Sequence, residues 1–222
     1  LGFGRNLGTS VSLAAFYRRF EGDADVMTGD QSEQGFDFDI GDVQLFTKWD
    51  TVDNPYFPRS GYRGLLGWRI SRESLGADMD FEQIDFHGLS ARSWDDHTLI
   101  GSVIYRTSLD DDAPIQSLYR LGGFLRLSGF NQRQLAGQHA GLAGIAYLKR
   151  LDTKLVPTYL GASLELGNAW QSSDDIAFDN TFLAGSLFFG ADTVLGPVYL
   201  AYGHAEGGHQ ALYLFLGTPW RF

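Results

Sequence analysis

The chain closes on Leu212-Tyr213-Leu214-Phe215-Leu216-Gly217-Thr218-Pro219-Trp220-Arg221-Phe222, and these residues decide the fold. Side chains of an extended strand alternate between its two faces. Leu212, Leu214, Leu216, Trp220 and Phe222 therefore share one face, with Thr218 among them. Tyr213, Phe215, Gly217, Pro219 and Arg221 share the other. A tilted strand of about this length crosses a bilayer. The same pattern also fits the last strand of a soluble β-sandwich, so the rest of the chain has to decide.

The 222 residues suffice for one barrel or one sandwich. Twenty-eight Gly, 17 Phe, 10 Tyr and 5 Trp with only 6 Pro suit close-packed strands and interfacial aromatic girdles. The mean hydropathy of -0.15 is that of a soluble protein. It also fits a membrane barrel, where only alternate residues meet lipid and the interior and loops are polar. With no Cys, disulfides and Cys-ligated metals are excluded. No apolar run reaches the length of a helical span. A net charge of -10 argues against nucleic acid as a partner. A terminal Phe222 with Trp220 two residues before it, and Leu214 and Leu216 further back on the same face, resembles the end signal of bacterial outer-membrane barrels. That resemblance implies recognition by the barrel assembly machinery through the C-terminal strand.

About ten extended segments can be read, near 9–20, 39–52, 61–73, 81–93, 97–108, 137–151, 155–170, 182–193, 196–205 and 209–222. Several alternate cleanly. Leu160, Ala162, Leu164 and Leu166 oppose Tyr159, Ser163 and Glu165; Tyr62, Leu66, Trp68 and Ile70 oppose Arg63, Arg69 and Ser71. Segments 81–93 and 137–151 do not alternate clearly. Counted backward from the C-terminus, the odd connections are 206–208, 171–181, 109–136, 74–80 and 21–38. The even ones are 194–195, 152–154, 94–96 and 53–60. Apart from 206–208, long connections fall on one end and short turns on the other, as membrane barrels require. Glu21-Asp23-Asp25, Asp110 to Asp112 and Asp174-Asp175 all fall at the long-loop end. A soluble barrel has no reason to sort its loops by parity. The expected fold is therefore all-β, an antiparallel transmembrane barrel domain over 1–222. Because the chain starts close to a strand, the barrel is expected to be incomplete on its N-terminal side.

The connection 109–136 is too long for an idle hairpin loop. Within it, Gly122-Gly123-Phe124-Leu125-Arg126-Leu127-Ser128-Gly129-Phe130 is too apolar to wave in water, and its glycines allow close approach. The lumen is the cavity available to it; a compact, capped surface loop is the alternative. Another stretch, Asp50-Thr51-Val52-Asp53-Asn54-Pro55-Tyr56-Phe57-Pro58-Arg59-Ser60-Gly61, reads as a rigid turn that restarts a strand at Gly61. Glu165 faces the lumen by alternation, and a lone carboxylate in a membrane protein calls for a partner. Arg126 is the expected one, and a solvated lumen charge is the alternative.

These motifs resemble the transporter superfamily of BamA, TamA and the two-partner-secretion pore FhaC. The family loop G-G-x-x-x-(V/I)-R-G-(F/Y) is matched at Gly122, Gly123, Leu127, Gly129 and Phe130, with Ser128 in place of the family Arg. The L-S-G-F variant looks most like the barrels of patatin-type autotransporters. Asp50, Asp53, Asn54, Phe57, Pro58 and Gly61 match the family turn D-x-x-D-N-x-x-F-P-x-x-G. Leu164 to Trp170 is similar to the family strand F-x-D-x-G-x-x-W, with Glu165 at the acidic position. The resemblance implies a sixteen-stranded barrel of which this chain is the last ten strands, five of them after the loop. It also implies an outer-membrane pore for protein translocation, in contact with membrane lipid and lipopolysaccharide, serving a fused or separate secreted passenger. For the patatin type that passenger is a lipid acyl hydrolase. A BamA/TamA-like assembly factor and a passive porin are the other readings, and a homo-oligomer stays open.

No catalytic motif appears among the 5 His and their neighbours. His204 and His209 flank a tight Gly207-Gly208 turn and read as solvated loop residues rather than metal ligands. The Asp110 to Asp112 run reads as solvated charge rather than a Ca²⁺ site. No cofactor, metal or catalytic residue is expected.

Overall fold

The computed structural model describes all residues except 25, 26, 29, 30, 33–35, 154, 221 and 222; Asp25 and Phe222 therefore lie outside the described residues. Eleven strands form one antiparallel sheet in chain order. They are β1 (Gly2–Leu7), β2 (Val11–Ala24), β3 (Phe36–Asp50), β4 (Ser60–Ser71), β5 (Phe81–Trp94) and β6 (His97–Ser108) before the long connection. After it come β7 (His139–Leu151), β8 (Thr158–Trp170), β9 (Phe182–Thr193), β10 (Gly196–Ala205) and β11 (His209–Leu216). Each strand pairs with its chain neighbours, β6 with β7 across the long connection. Among the described residues the sheet does not close, so β1 and β11 are its edges.

Eleven strands correct the expected ten, and six rather than five precede the long connection. The missed one, β1, reads G-F-G-R-N-L and is too short and glycine-rich to show alternation. It pairs along its whole length with β2 through a turn at 8–10. That turn falls at the short-turn end, so the sorting of connections by parity survives the extra strand.

The two faces differ as a membrane barrel needs. Leu45, Leu66, Trp68, Val103, Ile145, Leu160, Leu164, Leu187 and Leu200 are all exposed on the outer face. On the inner face Asp42, Gln83, Ser163, Glu165 and Ser186 are buried. A soluble protein does not spread large aliphatic side chains over a whole sheet face; a lipid-facing wall does. Asp42 ties the first strands together. Arg18 of β2 donates to its carboxylate through Nη2 at 2.5 Å, and Arg69 of β4 through Nε at 2.8 Å. Arg69 also reaches Gln83 of β5 and Ser117 beyond β6 at 3.2 Å each.

The last strand ends earlier than its alternation implies. β11 stops at Leu216; Gly217 sits at φ 114°, and its amide donates to the Pro197 carbonyl at 2.9 Å. With Pro219 following, the chain leaves the sheet and Trp220 turns inward. Leu212, Leu214 and Leu216 keep the outer face, but Trp220 is buried inside. This corrects its placement on the leucine face.

Exposed leucines at different membrane depths separate a lipid-facing wall from a soluble sheet. Leu164, mid-strand in β8, is 61% exposed, and Leu195, in a two-residue turn, is 95% exposed. Leu164→Arg is expected to cost about 2–4 kcal/mol of folding stability in bilayers, and Leu195→Arg about 0–1 kcal/mol. Urea unfolding in liposomes measures both. Equal tolerance would contradict the membrane reading of the outer face.

Candidate functional site in the barrel lumen

The connection between β6 and β7 folds back onto the inner face of the sheet. A short ladder, Tyr119–Leu121 with Leu135–Gly137, forms its stem. The tip, Gly122 to Phe130, is buried throughout except for Arg126, which is half-buried. Gly129 shows why glycine is needed. Its φ is 113°, and a Cβ there would stand 2.5 Å from the Ala205 amide nitrogen on β10. Leu125 and Leu127 also take positive φ, 59° and 72°. Each such residue costs of order 1–3 kcal/mol and persists only where its surroundings over-determine it.

Glu165 of β8 supplies much of that determination. Its Oε2 accepts from the Leu127 and Ser128 amides, both at 2.7 Å. Its Oε1 accepts from Ser128 Oγ at 2.8 Å and from Ser163 Oγ at 2.6 Å. A carboxylate offers about four lone-pair sites, and all are filled. Arg126 is not among the donors, which corrects the expected Arg126–Glu165 pair. The acidic residue does meet the loop, but at Ser128, one turn of backbone away from the expected contact. Two backbone amides and two hydroxyls replace a guanidinium, and they leave no acceptor for one. Ser128 also accepts from the Leu125 amide at 3.0 Å, which tightens the loop upon itself.

The tip is held by aromatic residues as well. Tyr213 of β11 accepts from the Gly129 amide at 2.8 Å and donates to the Phe130 carbonyl at 2.7 Å. Phe130 stacks on His209 at 4.2 Å and meets Phe182 edge-on at 5.0 Å. His209 is therefore not a solvated loop histidine, which corrects that expectation. Phe124 packs edge-on against Phe188 at 5.2 Å and near Tyr199 at 5.7 Å. Tyr213, Tyr199 and Phe188 were not singled out in the sequence; their lumen-facing parity in strands of otherwise small inner residues was the available signal.

The turn between β3 and β4 enters from the opposite end. Asp53 Oδ1 accepts from the Arg59 and Ser60 amides at 2.9 and 3.0 Å. Asn54 Oδ1 accepts from the Tyr56 and Phe57 amides at 2.8 and 3.1 Å. Asp50 pairs with Arg63 at 2.8 Å. Gly61 takes φ 99°, and a Cβ there would meet the Thr51 carbonyl oxygen at 2.3 Å. These bonds aim Phe57 and Pro58, both fully buried, into the lumen. Phe57 stacks on Tyr159 at 4.1 Å and lies 5.1 Å from Tyr199. The Tyr56 carbonyl accepts from both Tyr199 Oη at 2.7 Å and Trp220 Nε1 at 3.0 Å. The turn motif and the C-terminal Trp thus form one inner cluster.

At the base of the loop, Asp111 is a clasp rather than solvated charge. It pairs with His139 Nε2, whose Nδ1 shares a 2.7 Å hydrogen bond with Thr107 Oγ1. It also accepts from the Ser173 amide at 3.0 Å. No group of three or more His, Cys, Asp or Glu able to hold a metal occurs among the described residues.

Two outcomes follow. Glu165→Ala strips the two amides and the Ser128 hydroxyl of their acceptor, so loop docking should weaken by on the order of 3 kcal/mol. A Cys placed at Leu127 should resist maleimide in the otherwise unchanged barrel and label readily in the Glu165→Ala background; equal labelling would remove Glu165 as the seat. In the turn, burial alone would raise the Asp53 pKa, but the Arg59, Ser60 and Asn54 amides outweigh it and hold the carboxyl below its ordinary value. A depressed pKa contributes stability above the unfolded-state pKa, and that contribution is lost as pH falls through the folded value. Asp53→Asn should therefore be less stable than the parent at neutral pH, and the gap should close in acid below the ordinary carboxylate range. A gap that stays constant with pH would show that the charge is not its source.

A model of the Omp85 superfamily domain matches residues 3–191. Among solved structures, the crystal structure of BamA from Haemophilus ducreyi lacking POTRA domains 1–3 matches with a TM-score of 0.74 at 12% sequence identity. The match covers 96% of this chain and 52% of that one, so this chain spans about half the length of that BamA. No curated protein matches it in sequence. The sheet, its lipid-facing outer wall and the extent of the domain match lead to one conclusion: the chain belongs to the Omp85 superfamily, a family of Gram-negative outer-membrane β-barrels that translocate or assemble proteins.

Proposed function

We propose that this chain is the loop-bearing part of a protein-translocating pore, the translocator barrel of a patatin-type autotransporter whose passenger is a lipid acyl hydrolase. The observation that carries the reading is the seat of Ser128 on Glu165. Where the wider family is expected to place Arg, this loop places a serine that is itself wedded to the wall carboxylate by its amide and its hydroxyl. Ser128 is thus a working residue of the L-S-G-F loop rather than a lost contact, and that loop is the feature shared with the patatin-type barrels. A lumen occupied by a docked loop speaks against a passive porin. The proposed partners are lipopolysaccharide and lipid around the wall, the barrel assembly machinery at Leu214, Leu216, Trp220 and Phe222, and the passenger within the pore.

The second reading is a BamA/TamA-like assembly factor, which the likeness in fold to BamA favours. Depletion of the full-length protein separates the two. Translocator function predicts loss of one cell-surface or secreted lipid hydrolase with other outer-membrane barrels at normal levels. A general fall in outer-membrane barrels would favour the assembly reading and overturn the first. In the same cells, removing residues 122–130 should block passenger release while leaving a heat-modifiable barrel.

A further inference from the structure

The outer wall changes character along its height. At the short-turn end, where β5 passes to β6 through Asp95 and Asp96, an aromatic shelf crosses three strands. Trp94, the last residue of β5, pairs with His97, the first of β6, and their rings stack at 5.8 Å. His97 stacks in turn on Tyr147 of β7 at 5.8 Å and shares a 2.5 Å hydrogen bond with its hydroxyl. Two exposed cations of the same outward parity, Arg92 and Lys149, border this shelf. Lys149 lies opposite His97 in the ladder of β6 and β7, and Arg92 lies opposite Leu99 in that of β5 and β6. Among the described residues neither cation forms an ion pair. Asp95 and Asp96 are exposed in the turn just beyond, and Asp152 in the next one. Arg59 reaches the Asp95 backbone carbonyl, at 2.6 Å, rather than its carboxylate.

Toward mid-membrane from this shelf the wall is grooved. Two hollows of about 840 and 660 Å³ adjoin at Ile145 and Leu164. The first begins at the shelf itself, at Leu99 and Tyr147, and runs over the small residues Ala162 and Gly185. The second begins at Ser90, the next outward residue of β5 after Arg92, and passes over Gly101. A Cβ at Gly101 would meet nothing within 4 Å, so the space above it is open. From the water inward, strand register sets one order. The Asp95 and Asp96 carboxylates come first, then Lys149 level with Trp94 and His97, then Arg92 one pleat deeper, and last the two grooves. A phosphatidylethanolamine molecule has the complementary order: a primary ammonium outermost, a phosphate beneath it and two acyl chains below.

We propose that this face of β5 to β8 is a binding site for one phosphatidylethanolamine molecule of the leaflet at the short-turn end. Arg92 and Lys149 take the phosphate oxygens by charge-assisted hydrogen bonds, and the Asp95 and Asp96 carboxylates accept from the ammonium. Trp94 and Tyr147 hold the glycerol level as interfacial anchors, and the chains lie in the two grooves. A choline headgroup has no N–H to donate, and a glycerol headgroup has no cation, so each loses the outermost contact. The lipid would bridge β6 and β7, the two strands paired across the long connection, and so brace the wall from outside where the loop departs. The proposal rests on the membrane placement of the wall, not on what crosses the pore.

The test is native mass spectrometry of the full-length protein, released from micelles carrying equal amounts of phosphatidylethanolamine, phosphatidylcholine and phosphatidylglycerol with identical chains. The parent should retain phosphatidylethanolamine in preference to the other two. Arg92→Gln with Lys149→Gln should weaken that retention by about ten-fold, and Arg92→Lys with Lys149→Arg should keep most of it. Asp95→Asn with Asp96→Asn should abolish the preference over phosphatidylglycerol; Asn tolerates the φ of 50° at Asp95, so the turn is kept. Gly101→Leu fills the open floor and should lower retention of all three lipids alike. Heat-modifiability checks that each variant is folded. Equal retention of the three lipids by the parent, or phosphatidylethanolamine retention unchanged in the Gln pair, overturns the site. Preferential retention of phosphatidylglycerol overturns it too, because the cations would then act without the carboxylates. Should the Gln pair fail to assemble, the Asp and Gly101 variants decide: a headgroup preference untouched by the first and retention untouched by the second reject the proposal.

Discussion

The saturated carboxylate of Glu165 is the contact on which the inner structure depends. A buried charge is costly unless every acceptor site is met. Here the donors come from the loop, at Leu127 and Ser128, and from the neighbouring Ser163. If the loop leaves, the wall carboxylate loses three of its four donors and keeps one hydroxyl. If Glu165 is absent, the loop keeps two amides with no acceptor, in a backbone already strained at Leu125 and Leu127. Each side makes the other's departure unfavourable. The same carboxylate reaches sideways through Ser163 to Ser186 on β9 at 2.6 Å, so the loop also braces two wall strands against each other.

That brace continues as an aromatic column down the lumen. Tyr213, bonded to the Phe130 carbonyl and 6.0 Å from Phe124, links the Phe130–His209 pair to Phe124 and Phe188, and Tyr199, fully buried, joins the loop to Phe57 and Tyr159 of the opposite end. Fully burying one such ring is worth about 1.5–3 kcal/mol, and stacked or edge-on partners add to it. Two insertions, from opposite ends of the barrel, therefore share one core. A packed core of this kind has discrete arrangements rather than a continuum. Loop movement in this barrel is accordingly expected as a switch between seated and unseated states, with the turn that carries Phe57 responding to it.

Much of this was legible in the chain. Alternation placed Leu160, Leu164 and Trp68 outside and Glu165 inside, because a lipid wall and a polar lumen impose a period of two. The long loop betrayed its docking by being too apolar for water. Where alternation failed, in β5 and β7, the failure has a cause. Leu89 and Ala91 of β5, and Ala140, Leu142, Ala146 and Leu148 of β7, face inward but are buried in the inner hydrophobic clusters that the loop completes, so both faces became apolar. Three-dimensional choices were not legible. Whether Arg126 or Ser128 meets Glu165 depends on the positive φ of Leu125 and Leu127, which no pattern of side chains reveals. Trp220 keeps the parity of Leu216 in an extended chain, but Gly217 and Pro219 end the strand between them, and parity means nothing past that break.

The division of the lumen constrains how such a barrel can act. The loop with β7 to β11 behaves as a two-layer structure, wall and filling, with its own apolar core. Among the described residues, β1 to β4 stand outside that filling, and polar contacts join them on the inner face, above all Arg18 and Arg69 on Asp42. Unseating the loop would open the other half only by exposing Glu165 and the aromatic column together. The seated loop thus fills the half of the lumen that needs a core.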